Sequence, residues 1–78
     1  HSIYPNPNNG SFELLLNHNI NNLLIEMIDI TGKLLYSELI QNYNVNSKHN
    51  INTNLEPGSY ILNIISNEYN AQKMMVVD

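Results

Sequence analysis

Leu23-Leu24-Ile25-Glu26-Met27-Ile28-Asp29-Ile30-Thr31-Gly32-Lys33 is the most apolar stretch of the chain and ends in its clearest turn. Leu23, Ile25 and Met27 fall on one face of an extended chain, with Leu24, Ile28 and Ile30 opposing them; only Glu26 and Asp29 interrupt. A run this short between turn signals suits a central strand better than a helix. Asp29 to Lys33 then reads as a tight hairpin, where Gly32 supplies the left-handed residue that a type I turn with a bulge requires. A Leu-rich strand carrying Tyr36 returns over residues 33–40.

Upstream, Pro5 and Pro7 fix φ and donate no backbone hydrogen bond, so neither suits the middle of a sheet. Asn9-Gly10 is a turn dipeptide. Phe12, Leu14 and Leu16 alternate through residues 11–16 as a half-buried strand, and residues 17–22 read as a polar loop around Ile20. Downstream, residues 41–48 read as a loop around Tyr43 and Val45, and a weaker strand over 49–55 has Ile51, Thr53 and Leu55 in phase. Glu56-Pro57-Gly58 reads as a turn with Pro at its second position and Gly accepting positive φ at its third. Tyr60, Leu62 and Ile64 share one face of a strand over 59–65. A hairpin loop at 66–70 leads to a closing strand at 71–77. Six to seven short strands with turn chemistry between them predict an all-β fold, a small antiparallel β-sandwich that is immunoglobulin-like. Two segments are apolar on both faces, which requires cover from loops or from a partner domain.

The 78 residues allow one domain, 1–78, that buries only about two-thirds of its unfolded surface. No cysteine is present to staple it. No apolar run approaches the ~18 residues of a membrane-spanning helix. Seven acidic residues against three lysines and no arginine, a formal charge of −4, argue against nucleic acid, which demands a basic face. Sixteen asparagines beside 13% charged residues make a surface that is polar through amides rather than ions, and they favour turns. The chain begins at His1 with neither an initiator Met nor a signal-peptide pattern, which reads as a piece of a longer protein.

Catalytic chemistry finds little purchase. His1, His18 and His49 are widely spaced and read as solvated loop residues rather than zinc ligands. Glu13, Glu26, Glu38 and Glu68 occupy outward-looking positions that suit a solvated sheet face better than a paired-carboxylate site. Thr31-Gly32-Lys33 lacks the upstream glycine and following hydroxyl residue of a phosphate loop. Asp29 lacks the acidic companions of a calcium loop and reads as an acceptor for turn amides. The sequon Asn9-Gly10-Ser11 is explained by its turn. Of the five tyrosines, Tyr36 and Tyr60 lie in strands, whereas Tyr4, Tyr43 and Tyr69 lie near loops, where they could stack on a sugar. No catalytic residue, cofactor or metal is expected.

Four pieces of the sequence together resemble the type A C-terminal sorting domain of the type IX secretion system. Tyr4-Pro5-Asn6-Pro7, followed by Gly10 and the Phe12/Leu14 alternation, resembles that family's opening. Ile25 to Leu35 resembles its central hairpin of strand, Asp-x-x-Gly-Lys and strand. Leu55-Glu56-Pro57-Gly58-Ser59-Tyr60-Ile61-Leu62 resembles its Leu-x-x-Gly-x-Tyr element, and Gln72-Lys73-Met74-Met75-Val76-Val77 its closing strand. The pieces occur in the family's order and span nearly the whole chain. Two positions depart: Ile28 stands where the family often has an aromatic, and Asp78 where its terminus is commonly basic.

The resemblance implies a transport address at the C-terminus of a larger cargo, fused in cis to an N-terminal cargo domain. The cargo passes through the periplasm, then through an outer-membrane translocon, and ends anchored at the cell surface by a sortase or released. On this reading the domain is no enzyme and does not itself span the membrane. Translocon recognition is expected at Pro5, Pro7, Gly58, Tyr60, Lys73, Met74 and Val76, with Gly10, Asp29, Gly32, Lys33 and Pro57 defining turns. The closing strand is a natural edge for strand addition. Each residue also has a plainer reading: Gly58 and Pro57 as turn formers, Tyr60 as core, Lys73 as a charge that blunts an edge. The alternative function is a small carbohydrate-binding or adhesion β-sandwich. A purely structural, fibronectin-like spacer is a third.

Overall fold

The computed structural model describes the backbone of residues 2–4 and all of residues 9–78. These form seven strands: β1 (Ser2–Tyr4), β2 (Ser11–Leu15), β3 (Ile20–Asp29), β4 (Leu34–Tyr43), β5 (Lys48–Asn52), β6 (Gly58–Ile65) and β7 (Asn70–Val77). No helix occurs among the described residues. Every pairing is antiparallel, in a three-stranded sheet of order β1-β2-β5 and a four-stranded sheet of order β4-β3-β6-β7. The fold is the expected all-β, sandwich-like one.

Period-two alternation builds the core. Phe12 and Leu14 of β2 and Ile51 of β5 meet Leu23, Ile25 and Met27 of β3. Leu62 and Ile64 of β6, with Met75 and Val77 of β7, complete the same cluster. Seven of these side chains have no solvent exposure at all besides Met27: Leu14, Leu23, Ile25, Ile51, Leu62, Ile64 and Met75. Each such burial contributes about 1.5–3 kcal/mol, against the chain entropy lost on ordering. The two outermost strands of the four-stranded sheet each turn one charge toward the interior side: Glu38 of β4 is opposite Ile25, and Lys73 of β7 is opposite Leu62.

The central hairpin closes as its sequence requires. Gly32 N donates to the Asp29 carbonyl and Asp29 N to the Lys33 carbonyl, both at 3.0 Å. Gly32 sits at φ +93°, and the β3–β4 register shifts between Met27 and Ile28, the bulge that accompanies such a turn.

Several boundaries differ from the sequence reading. β3 begins at Ile20 and β4 continues to Tyr43, so both polar loops expected there are partly strand. Ile20 pairs with Tyr43 and both are buried, although each is out of phase with the inward residues of its own strand. Left-handed Asn42, at φ +59°, lies at that phase change. β5 stops at Asn52, leaving Thr53 and Leu55 outside it. Gly58 is nearly extended at φ 158° and already pairs with Val77, so the bend lies at Pro57 and Gly58 opens β6 instead of occupying the third position of a turn.

Candidate recognition surface

The β6–β7 hairpin gathers most of the residues singled out for recognition. Gly58 pairs with Val77, Tyr60 with Met75, and Leu62 with Lys73. Tyr60 is buried at 8% exposure, and its hydroxyl donates to the Glu56 carbonyl at 2.5 Å, clasping the Pro57 bend to the start of β6. A side chain at Gly58 would meet the Tyr60 ring at ordinary contact distance. Met74 and Val76 lie on the opposite, outer face of β7, 55% and 39% exposed, and both already make interactions of their own. Lys73 is half-buried on the inner side. Pro5 and Pro7 lie outside the described residues.

The turn residues have distinct partners. Gly10, at φ +99°, accepts from Thr53 N at 2.8 Å and from Thr53 Oγ1 at 2.6 Å, joining the start of β2 to the end of β5. Asp29 Oδ1 accepts from Thr31 Oγ1 at 2.6 Å, Thr31 N at 2.9 Å and Lys33 N at 3.0 Å. The Thr31 hydroxyl first, then the Lys33 amide, holds the Asp29 carboxyl below its usual range, because both bonds favour the ionised form. Lys33 contributes its backbone to the turn.

Of the outer face of the four-stranded sheet the sequence singled out only Met74 and Val76, on β7, and the rest of that face was missed. One cross-strand row consists of Leu34, Ile28, Ile61 and Met74; another begins Leu39, Leu24 and Ile65. Between them runs a polar row, Ser37, Glu26, Asn63 and Gln72. The outer face of the other sheet presents Ser11, Glu13, Leu15, Lys48, Asn50 and Asn52, which is largely polar. The signal for this asymmetry was the two-sided apolarity of residues 23–30, whose outer side the loops do not cover.

Residues weighed for chemistry fall into structural roles or stay apart. His49 lies in β5, within the strand expected over 49–55, but is a half-buried partner of Glu38 rather than a solvated residue, with Nε2 2.8 Å from Glu38 Oε2. Glu38 therefore faces the inner side, contrary to the outward position expected of it. Tyr36 donates to Glu38 Oε1 at 2.5 Å. Burial first, then that bond and the carboxylate's charge, pushes the Tyr36 hydroxyl up to about 12. His18 packs against Tyr69, ring centroids 5.6 Å apart. Tyr43, expected near a loop and open to sugar, is 3% exposed; its hydroxyl accepts from Leu16 N at 2.8 Å and donates to the Ser47 carbonyl. Tyr69 is half-buried against the core. Tyr43 and Tyr69 thus form no stacking platform, and the Tyr4 side chain lies outside the described residues. No group of histidines and carboxylates among the described residues could hold a metal ion, and none of their helices could cross a membrane, there being none.

Comparison with known proteins finds no curated relative. A family model described as the secretion system C-terminal sorting domain matches residues 2–78. The match takes in both sheets, the Asp29–Lys33 hairpin and the β6–β7 hairpin. Nothing supports the carbohydrate-binding alternative. The chain belongs to the family of type IX secretion C-terminal sorting domains, the sorting signals of cargo that ends at the cell surface or outside the cell.

Proposed function

We propose that the chain is the folded tail of a larger exported protein, carried through the periplasm and gripped by the outer-membrane translocon, with a sortase acting on it afterward. It performs no chemistry of its own. The observation that carries this reading is the family match over residues 2–78. The fold supports it: a core without disulfides needs no oxidative assistance, and β7 pairs with β6 along its whole length, so the tail is a shaped surface rather than a loose peptide.

In this reading Gly58 and Tyr60 position β7, while Met74 and Val76 touch the machinery through exposed side chains. Lys73 sits on the inner side and orients the strand. Pro5 and Pro7 hold the entry from the cargo domain extended.

The test fuses the 78 residues to the C-terminus of an enzyme reporter in a strain with a type IX system. The reporter reaches the cell surface only with the domain attached and only when the machinery is intact. Removing residues 73–78 leaves an active reporter in the periplasm. Surface delivery without the domain would overturn the reading.

A further inference from the structure

We propose that the outer face of the four-stranded sheet docks a protein segment of the export machinery that is apolar and carries one lysine or arginine, the cation pairing with Glu26. The inference rests on the sorting reading and extends the contact from β7 across all four strands.

The face has two apolar rows with a polar row between them. Leu39 is 55% exposed, Leu34 50% and Met74 55%, so neither row is covered by the loops among the described residues. Exposed apolar rows of this kind, bordered by polar residues, mark an interaction site. A partner that covers both rows must also cover the row between them. Glu26 is the only ionisable side chain in these rows, and it forms no ion pair among the described residues. Burying a carboxylate without a partner is costly, and the cost falls only when a cation and hydrogen bonds replace its water. Ser37 and Asn63, on either side of Glu26, supply polar neighbours but no positive charge. The incoming segment must supply it.

A second copy of the chain does not meet this need. A second such face brings no lysine or arginine, since Glu26 is the only ionisable side chain in its rows, and both molecules carry a charge of −4. An anionic membrane surface is disfavoured for the same reason.

The experiment uses the reporter fusion with Leu39→Asp, Leu34→Asp, Glu26→Lys and, on the opposite sheet, Asn50→Asp. Leu39→Asp, Leu34→Asp and Glu26→Lys each lower surface delivery about tenfold while the melting temperature of the isolated chain changes little. Asn50→Asp leaves delivery unchanged. In a second arm, a photo-cross-linking benzoylphenylalanine at Leu39 is mapped by mass spectrometry to a machinery segment with a basic residue among apolar ones. Normal delivery by Leu39→Asp and Glu26→Lys overturns the inference, as do cross-links to a second copy, to the fused reporter or to lipid. If the unaltered domain fails to deliver the reporter, the sorting reading itself fails; if it delivers and the face variants do too, only the docking inference is lost.

Discussion

His49 Nε2 and Glu38 Oε2, 2.8 Å apart, join β5 of one sheet to β4 of the other. Tyr36 occupies the second oxygen of the same carboxylate. The pair is 27% and 31% exposed, so water screens it, and the contact, ionic only when His49 is protonated, contributes about 0.2–1 kcal/mol. Loss of the Tyr36 bond adds about 1 kcal/mol. Glu38→Ala is expected to lower unfolding free energy in urea by about 1–2 kcal/mol. A double-mutant cycle with His49→Ala should return the smaller share, that of the His49 contact; zero coupling would show that this pair adds nothing to the joining of the two sheets.

Tyr36 gives the alkaline limb its shape. Its hydroxyl titrates at about 12 in the fold, above its ordinary value of 10.0. The stabilisation is complete below pH 10 and is lost as pH climbs through 12. Tyr36→Phe removes this dependence, so its urea midpoint should fall less steeply than that of the unaltered chain between those two values. Parallel curves would locate the alkaline sensitivity elsewhere.

Asp29 acts in the opposite direction. Its folded carboxyl lies below the ordinary 3.8, chiefly through Thr31 and Lys33, so its contribution is present above that value and disappears as pH falls through the folded one. Asp29→Asn should be the less stable protein at neutral pH and should converge with the unaltered chain in acid. Circular dichroism melts from neutral pH down to about pH 2 would show it. A constant gap would mean that the amide takes over none of the carboxylate's role and that ionisation is irrelevant.

Gly10 and Gly32 separate strain from crowding. Both sit in the left-handed region, at φ +99° and +93°. A Cβ on Gly32 meets nothing within 4 Å, whereas on Gly10 it meets the Thr53 carbonyl oxygen at 2.9 Å. Gly32→Ala should cost about 1 kcal/mol from backbone conformation alone. Gly10→Ala should cost clearly more, because backbone must move. Equal melting temperatures would show that the β2–β5 end yields freely.

Tyr43→Phe tests the buried hydroxyl that bridges the end of β2 to the turn before β5. It leaves Leu16 N and the Ser47 carbonyl without that partner, a loss of about 1–3 kcal/mol. Amide hydrogen exchange at Leu16 should speed up before that of Ile25 in the centre of β3. Unchanged exchange at Leu16 would mean that water replaces the hydroxyl.

Much of this was legible in the chain because period and punctuation agreed. Phe12/Leu14, Leu23/Ile25/Met27 and Leu62/Ile64 all turn inward as their alternation required, and Asp29 to Gly32 turns where that chemistry points. The failures share a cause. Ile20 and Tyr43 pair and are buried out of phase beside left-handed Asn42, and no alternation rule anticipates such a change at an asparagine. Glu38 and His49 face inward because each finds the other across the gap between sheets, a pairing eleven residues apart in sequence but set by topology. Recognition residues were sought at the motifs, whereas the exposed apolar rows arise only when β4, β3, β6 and β7 lie side by side. Rows across strands have no image in a linear string.

Glu38 and Lys73, turned inward on the two rim strands, have a consequence for crowded conditions. A neighbouring molecule that zipped its backbone onto either rim would strip the remaining water from a half-exposed charge, Lys73 or the Glu38 carboxylate with its Tyr36 and His49 bonds. Fibre growth is thereby penalised at both ends of the sheet.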